Sequence, residues 1–312
     1  MRALITGING FVGRYLAEYL LAKNIEVYGT YFGDMNEDEL SEVNLLRMDI
    51  SNQYEVDKVI KKIQPNYVFH LAAQSSASIS WKEPKKTIEV NVNGTLNLLE
   101  SIRQLDNKCR ILLIGSSEEY GFVNLEDIPV NEEQSLKPGN PYAVSKIAQS
   151  MIGQVYARAY NMDVIIVKAF NHIGPKQSPT FVVSDFSKRI AEIEKGKIPP
   201  VLKVGNLEAE RDFTDVRDIV RAYYEIILKG KKGEVYNVGS GNSYKIQEIL
   251  DTLLSLAKIN IKVEKDPNRM RPSDIPIIRC DHSKVIDITE WKPEYKIEKT
   301  LSDVLNYWRQ TV

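Results

Sequence analysis

The chain has 312 residues, 43% of them hydrophobic and 27% charged, with a formal net charge of −1. That length allows one large core or two lobes, and the near-neutral balance gives no global field for nucleic acid or an anionic membrane surface. Cys109 and Cys280 lack metal-ligand spacing and read as inert thiols, and His70, His172 and His282 form no metal-binding pattern, so no metal is expected. No apolar run approaches the roughly 18 residues that span a bilayer. The first strand starts almost at Met1, leaving no room for a signal peptide, so a cytoplasmic location is expected.

In chain order, "RALIT" (2–6) reads as a short buried strand and "GINGFVG" (7–13) as the turn after it. Phe11, Val12, Tyr15, Leu16, Tyr19 and Leu20 then recur at helical spacing. Further strands are predicted at 26–31, 45–50 and 67–73, with a helix "QYEVDKVIKKI" before the last. A helix over 87–105 leads to a fifth strand, "RILLIGSS", and a long helix from Pro141 to a sixth, "DVIIVKAFN". Strands alternating with helices predict an α/β, Rossmann-type, doubly wound parallel sheet. After Asn171 the strict alternation stops. Residues 1–171, with segments near 207–240, are expected to form the dinucleotide-binding domain; 172–206 and 241–312 form a smaller α/β lobe. The basic run "KGKKG" (229–233) reads as a solvated loop.

Gly7, Gly10 and Gly13 form G-x-x-G-x-x-G between a strand and a helix. Glycine there permits a tight turn and close approach of backbone to a pyrophosphate, whose charge faces the helix N-terminus. Phe11 and Val12 lie in the same turn. Asp49 and Ile50, ending the third strand, are candidates for an adenine edge; Leu71, Ala72 and Ala73, ending the fourth, would let a cofactor ribose lie close. The second strand ends in Thr30-Tyr31-Phe32 without the carboxylate that would hold a ribose 2′-hydroxyl. This favours NADP(H) and leaves NAD(H) open. Arg14 reads equally as a phosphate contact and as an exposed helix residue.

"NPYAVSK" (140–146) puts Tyr142 and Lys146 four residues apart on one helix face. An ammonium beside a phenol is expected to lower the tyrosine pKa toward neutrality and make it an acid/base. Ser116 and Ser117 of "GSSEEYG" end the fifth strand, on the side where ligands sit in such sheets.

With "TGINGFVG", "HLAAQSS", "NVNGTLNLLE", "NVGSG" and "RPSD", these motifs resemble the extended, nucleotide-sugar-modifying branch of the short-chain dehydrogenase/reductase superfamily, over nearly the whole chain. The resemblance implies that Ser116 bonds the C4 oxygen of a sugar, Tyr142 is the acid/base and Lys146 holds the nicotinamide ribose. It implies a nucleoside-diphosphate-sugar site containing Ser116, Ser117, Glu118, Asn171, Arg211 and, in "RPSD", Arg271, Ser273 and Asp274. Arginine suits a diphosphate because its planar fork is bidentate and permanently charged. It also implies a homodimer through helices at about 91–104 and 142–160.

"NPYAVSK", "FNHIGP", "FVVSDFSKRIAEIE" and "RPSD" look closest to the GDP-mannose subgroup, where two activities compete. One is 4,6-dehydration of GDP-mannose. The other is reduction of the resulting GDP-4-keto-6-deoxy-D-mannose to GDP-D-rhamnose. Glu118 occupies the position of the dehydratase base. Against that, serine replaces the dehydratase threonine, Glu119 replaces an apolar residue, "RDF" replaces "RDW", and the basic pair after "FV" is missing. Reduction by NAD(P)H is therefore expected, with the dehydratase and then a 4-epimerase as alternatives. A non-enzymatic dinucleotide sensor or scaffold is a further alternative, disfavoured because Tyr142 and Lys146 are both present.

Overall fold

The computed structural model describes residues 1–35, 40–105, 108–269 and 275–312. Strand β1 (Arg2–Thr6) leads into helix α1 (Phe11–Ala22), then β2 (Glu26–Tyr31), β3 (Asn44–Arg47), α2 (Gln53–Ile63) and β4 (Tyr67–His70). Short helices α3 (Ala77–Lys82) and α4 (Pro84–Ile88) run through a π-helical turn at Glu89–Asn93 into α5 (Gly94–Arg103). β5 (Arg110–Ile114), α6 (Pro141–Ala159), β6 (Asp163–Ala169), β7 (Asn171–Ile173), α7 (Val182–Glu194), β8 (Val201–Val204) and β9 (Glu210–Asp215) follow. The chain ends with α8 (Val216–Lys229), β10 (Val235–Val238), β11 (Ser243–Lys245), α9 (Ile246–Ser255), β12 (Lys262–Lys265), β13 (Ile277–Ile278), α10 (Ser283–Thr289) and α11 (Ile297–Thr311).

Seven strands form one sheet in the order β10-β6-β5-β4-β1-β2-β3, paired in parallel throughout. This is the doubly wound Rossmann order with one strand added beyond β6. β5 (RILLI) and β6 (DVIIVKA) are buried along almost their whole length, as strands covered on both faces must be. Helices α1 and α8 close one face and α2 and α5 the other. The chain reverses between β1 and β4, which opens a crevice at the C-terminal ends of these strands.

β9 pairs with β7, β11 and β13 in a small second sheet. Helices α7, α9 and α11 pack with it through Phe186, Ile190, Leu250, Leu301 and Trp308. Helix α8 and strand β10 pack with the large sheet, and so do Val285 of α10 and Trp291, whose indole N–H donates to the Asp218 carbonyl. Among the described residues no helix is long and apolar enough to cross a membrane.

Five elements differ from expectation. β3 ends at Arg47, β4 at His70, β5 at Ile114 and β6 at Ala169, each two or three residues short of the expected end. The helix expected over 87–105 is interrupted by the π turn. There the buried Asn91 side chain bonds Gln74 N–H (2.8 Å), Gln74 C=O (3.0 Å) and Ser145 Oγ (2.9 Å), tying the loop after β4 to α6. Such single π turns are common where a side chain must be aimed at a functional site.

Candidate active site

A cleft of about 1080 Å³ runs from the β1–α1 turn, past the ends of β4, β5 and β6, to the second lobe. At one end lie Gly7, Gly10, Phe11, Val12 and Gly13, with Leu71, Ala72 and Ala73 opposite. Gly7 has φ +70°, and a Cβ there would stand 2.8 Å from the Ala72 Cα. The two backbone segments therefore meet with no room for a side chain. Gly10 caps α1, so the first turn's N–H groups face the cleft. These features fit a dinucleotide pyrophosphate. Asp49 and Ile50 do not line the cleft: Asp49 Oδ1 accepts Ser51 N–H (2.9 Å) and Oγ (2.7 Å), and Ile50 is buried in the core under α5.

The floor beneath Ala72 is a hydrogen-bond chain. Ala72 N–H donates to Thr6 Oγ1 (3.1 Å), which lies 2.8 Å from His70 Nδ1; His70 Nε2 lies 3.0 Å from Thr95 Oγ1, which donates to Asn91 C=O. The chain assigns the imidazole proton to Nε2. Burial, with the Lys146 charge adding, pulls His70 down to about 3, so it is a neutral structural link.

The catalytic candidates converge in the middle of the cleft, where Ser116, Glu118, Tyr142 and Lys146 all line it. Asn140 caps α6, its Oδ1 accepting Ala143 N–H at 2.9 Å, with Pro141 in the first turn. Tyr142 and Lys146 follow on one buried face of that helix. The Tyr142 hydroxyl faces the Ser116 side chain. Lys146 Nζ donates to Ile114 C=O (2.6 Å) and Gln149 Oε1 (2.9 Å). Burial draws Lys146 down to about 8, with Glu119 opposing.

The expectation of a tyrosine shifted toward neutrality is corrected by this geometry. Burial pushes the Tyr142 phenol up; the Ser116 hydrogen bond only partly opposes this, and the charges of Glu118 and Glu119 add to it. Lys146 Nζ stands 6.0 Å from the ring centroid and is committed to other acceptors.

Glu118 Oε2 accepts from Asn140 Nδ2 at 2.9 Å, at the mouth of α6. Ser117 is buried in the short turn after β5 and does not line the cleft. On the second-lobe side, Asn171 and Arg211 line the cleft; Arg211 Nη1 donates to Glu210 C=O (2.8 Å) and Ile275 C=O (2.6 Å), which fixes the guanidinium's position. Arg271, Ser273 and Asp274 lie outside the described residues.

Four further residues shape the site. Glu119 is fully buried behind Ser116, and Gln149 shares Ile114 C=O with Lys146. Asn91 anchors the loop after β4. Tyr223, on α8, lines the cleft, and its buried hydroxyl has no partner among the described residues. The sequence carried a signal for Glu119 alone: Lys168 is a lone charge inside a buried strand, which requires a buried counter-charge.

A family model described as GDP-mannose 4,6 dehydratase matches residues 4–304. The chain is 33% identical over 311 residues to the GDP-6-deoxy-D-mannose reductase of Pseudomonas aeruginosa, covering all of this chain and 98% of that protein. It is 30% identical over 348 residues to the GDP-mannose 4,6-dehydratase of Yersinia enterocolitica, covering 97% of this chain and 92% of that protein. The structure of RMD from Pseudomonas aeruginosa complexed with NADPH superposes with a TM-score of 0.88 at 32% identity, covering 100% of this chain and 99% of that one.

Proposed function

Since the chain belongs to the GDP-mannose 4,6 dehydratase family of extended short-chain dehydrogenases/reductases, we propose that it is an NADPH-dependent reductase converting GDP-4-keto-6-deoxy-D-mannose to GDP-D-rhamnose. The observation that carries the reading is the Ser116–Tyr142 hydroxyl pair, lodged in the cleft beside the buried Lys146. In the proposed reaction a carbonyl oxygen sits between the two hydroxyls. Held at the 7–13 turn, NADPH would supply the hydride for the new C4–H bond and be oxidised to NADP⁺. As negative charge grows on the C4 oxygen, Ser116 donates a hydrogen bond to it and Tyr142 transfers its proton, giving the alcohol. Lys146 stays buried on the same helix face, 6.0 Å from the Tyr142 ring. Asn171 and Arg211 line the part of the cleft where the diphosphate would lie, and Glu118 is a contact to substrate or solvent.

The dehydratase is the second reading, kept by one observation: Glu118 lines the cleft beside Ser116, where a base for the C5 proton would stand. The full-length match to a reductase supports the first reading, as does the commitment of Glu118 to Asn140. The test supplies GDP-4-keto-6-deoxy-D-mannose with NADPH or NADH and follows reduced cofactor by absorbance and product by NMR. Loss of NADPH with formation of the 6-deoxy alcohol is expected. Conversion of GDP-mannose to the 4-keto sugar, lost in Glu118→Gln, would replace this reading with the dehydratase.

A further inference from the structure

One element of the site has no part in the chemistry above: the buried carboxylate of Glu119. It is entirely enclosed, and its side chain turns back under the loop that carries Ser116. Oε1 accepts the Ser116 backbone N–H at 2.9 Å and the Ser150 hydroxyl at 3.0 Å. Oε2 faces the Lys168 ammonium at 3.6 Å, an ion pair just beyond hydrogen-bond length, with exposures of 0% and 5% for the two side chains. Lys168 also lies 4.3 Å from the centroid of the Tyr120 ring. Space is reserved for the arrangement, because a Cβ on Gly115 would stand 2.4 Å from Glu119 Oε1.

A buried ion pair adds little to stability compared with well-packed apolar side chains. Its presence directly behind a catalytic serine therefore calls for another reason. The turn supplies one, since Glu119 fixes the Ser116 amide while the Ser116 hydroxyl accepts Glu118 N–H at 3.2 Å and meets Tyr142. The orientation of the hydroxyl that meets the substrate oxygen depends on this lock.

We propose that Glu119, paired with Lys168, is a positioning residue that locks Ser116 opposite Tyr142 for ketone reduction. The proposal rests on the reductase reading, in which one proton leaves Tyr142 for each ketone reduced.

The test compares wild type with Glu119→Gln/Lys168→Met and Glu119→Leu/Lys168→Met. Neither double variant leaves an unpaired buried charge, so both are expected to fold. Both remove the two charges of the pair together; glutamine keeps an acceptor for Ser116 N–H and leucine does not. The glutamine variant should keep kcat within about threefold of wild type, and the leucine variant should lose about tenfold in kcat with KM and NADPH affinity unchanged. A leucine variant with the kcat of the glutamine variant, or one whose loss falls on KM, would overturn the proposal and leave Glu119 a packing residue. A wild type that reduces no keto-sugar would instead overturn the functional reading, while hydrogen exchange of the Ser116 amide, faster in the leucine than in the glutamine variant, would still report on the lock.

Discussion

His70 lies under the cofactor end of the cleft with both ring nitrogens engaged by threonine hydroxyls. Its folded value, near 3, lies below the unfolded value of 6.5 because burial disfavours the imidazolium. As pH falls below 6.5 the unfolded chain takes up a proton that the folded chain refuses, so stability is lost from pH 6.5 down toward 3. By pH 5 the loss from this residue should be about 2 kcal/mol. Glu119 and Asp212 are buried carboxylates pushed up by burial, and they act in the opposite sense. The informative measurement is therefore a difference between proteins. Urea unfolding of wild type and His70→Gln between pH 7 and 5 should show a steeper acid loss in wild type. Parallel curves would mean that His70 is protonated in the native state. Lys146 obeys the same logic in another range. Its folded value of about 8 lies below 10.5, so the strain of burying its charge is relieved as pH rises between the two.

At the scale of elements, the β1–α1 turn is the feature on which the cofactor end depends. Gly7→Ala would force a side chain into a left-handed backbone conformation and against Ala72, whose own N–H is tied to Thr6. The expected result is a destabilisation of about 1–2 kcal/mol and NADPH binding weakened tenfold or more, read by fluorescence titration. Unchanged affinity would place the dinucleotide elsewhere. This turn was legible in the sequence because glycines between a strand and a helix have few other uses, and β5 and β6 because strands covered on both faces need unbroken apolar runs. The π turn was not legible, since the Asn91 side chain imposes it through bonds to Gln74 and Ser145, residues distant in sequence. For Glu119 the signal was indirect: Lys168 inside a buried strand calls for a counter-charge, and only the pairing of the turn with β6 shows which one. Asp49 and Ile50 follow the end of β3, and the one is held by Ser51 and the other by the core under α5.

The largest scale is that of the assembly, where the outward face of α6 is the telling surface. Val144, Met151 and Val155 are about half exposed on it, at spacings of seven and four residues that form one stripe. Ile88 and Trp81 continue the apolar surface into a shallow groove with Pro138, Pro141 and Val144. An exposed apolar stripe of this kind marks a protein contact more often than a solvated face, and the homodimer expected from the family pairs α5 and α6 with their copies. We therefore propose a homodimer across this face. Sedimentation should give twice the chain mass for wild type and a concentration-dependent shift to the single-chain mass for Met151→Arg/Val155→Glu. The stripe faces away from the buried side that carries Tyr142 and Lys146, so a folded monomer should still bind NADPH. Its catalysis is the more informative readout. Tyr142 and Lys146 sit in the first two turns of α6, and Trp81 lines both the groove and the cleft. A monomer with intact NADPH affinity but lower kcat would show that pairing steadies the end of α6 that carries the acid. Wild type sedimenting as a single chain at all concentrations would assign the stripe to some other contact.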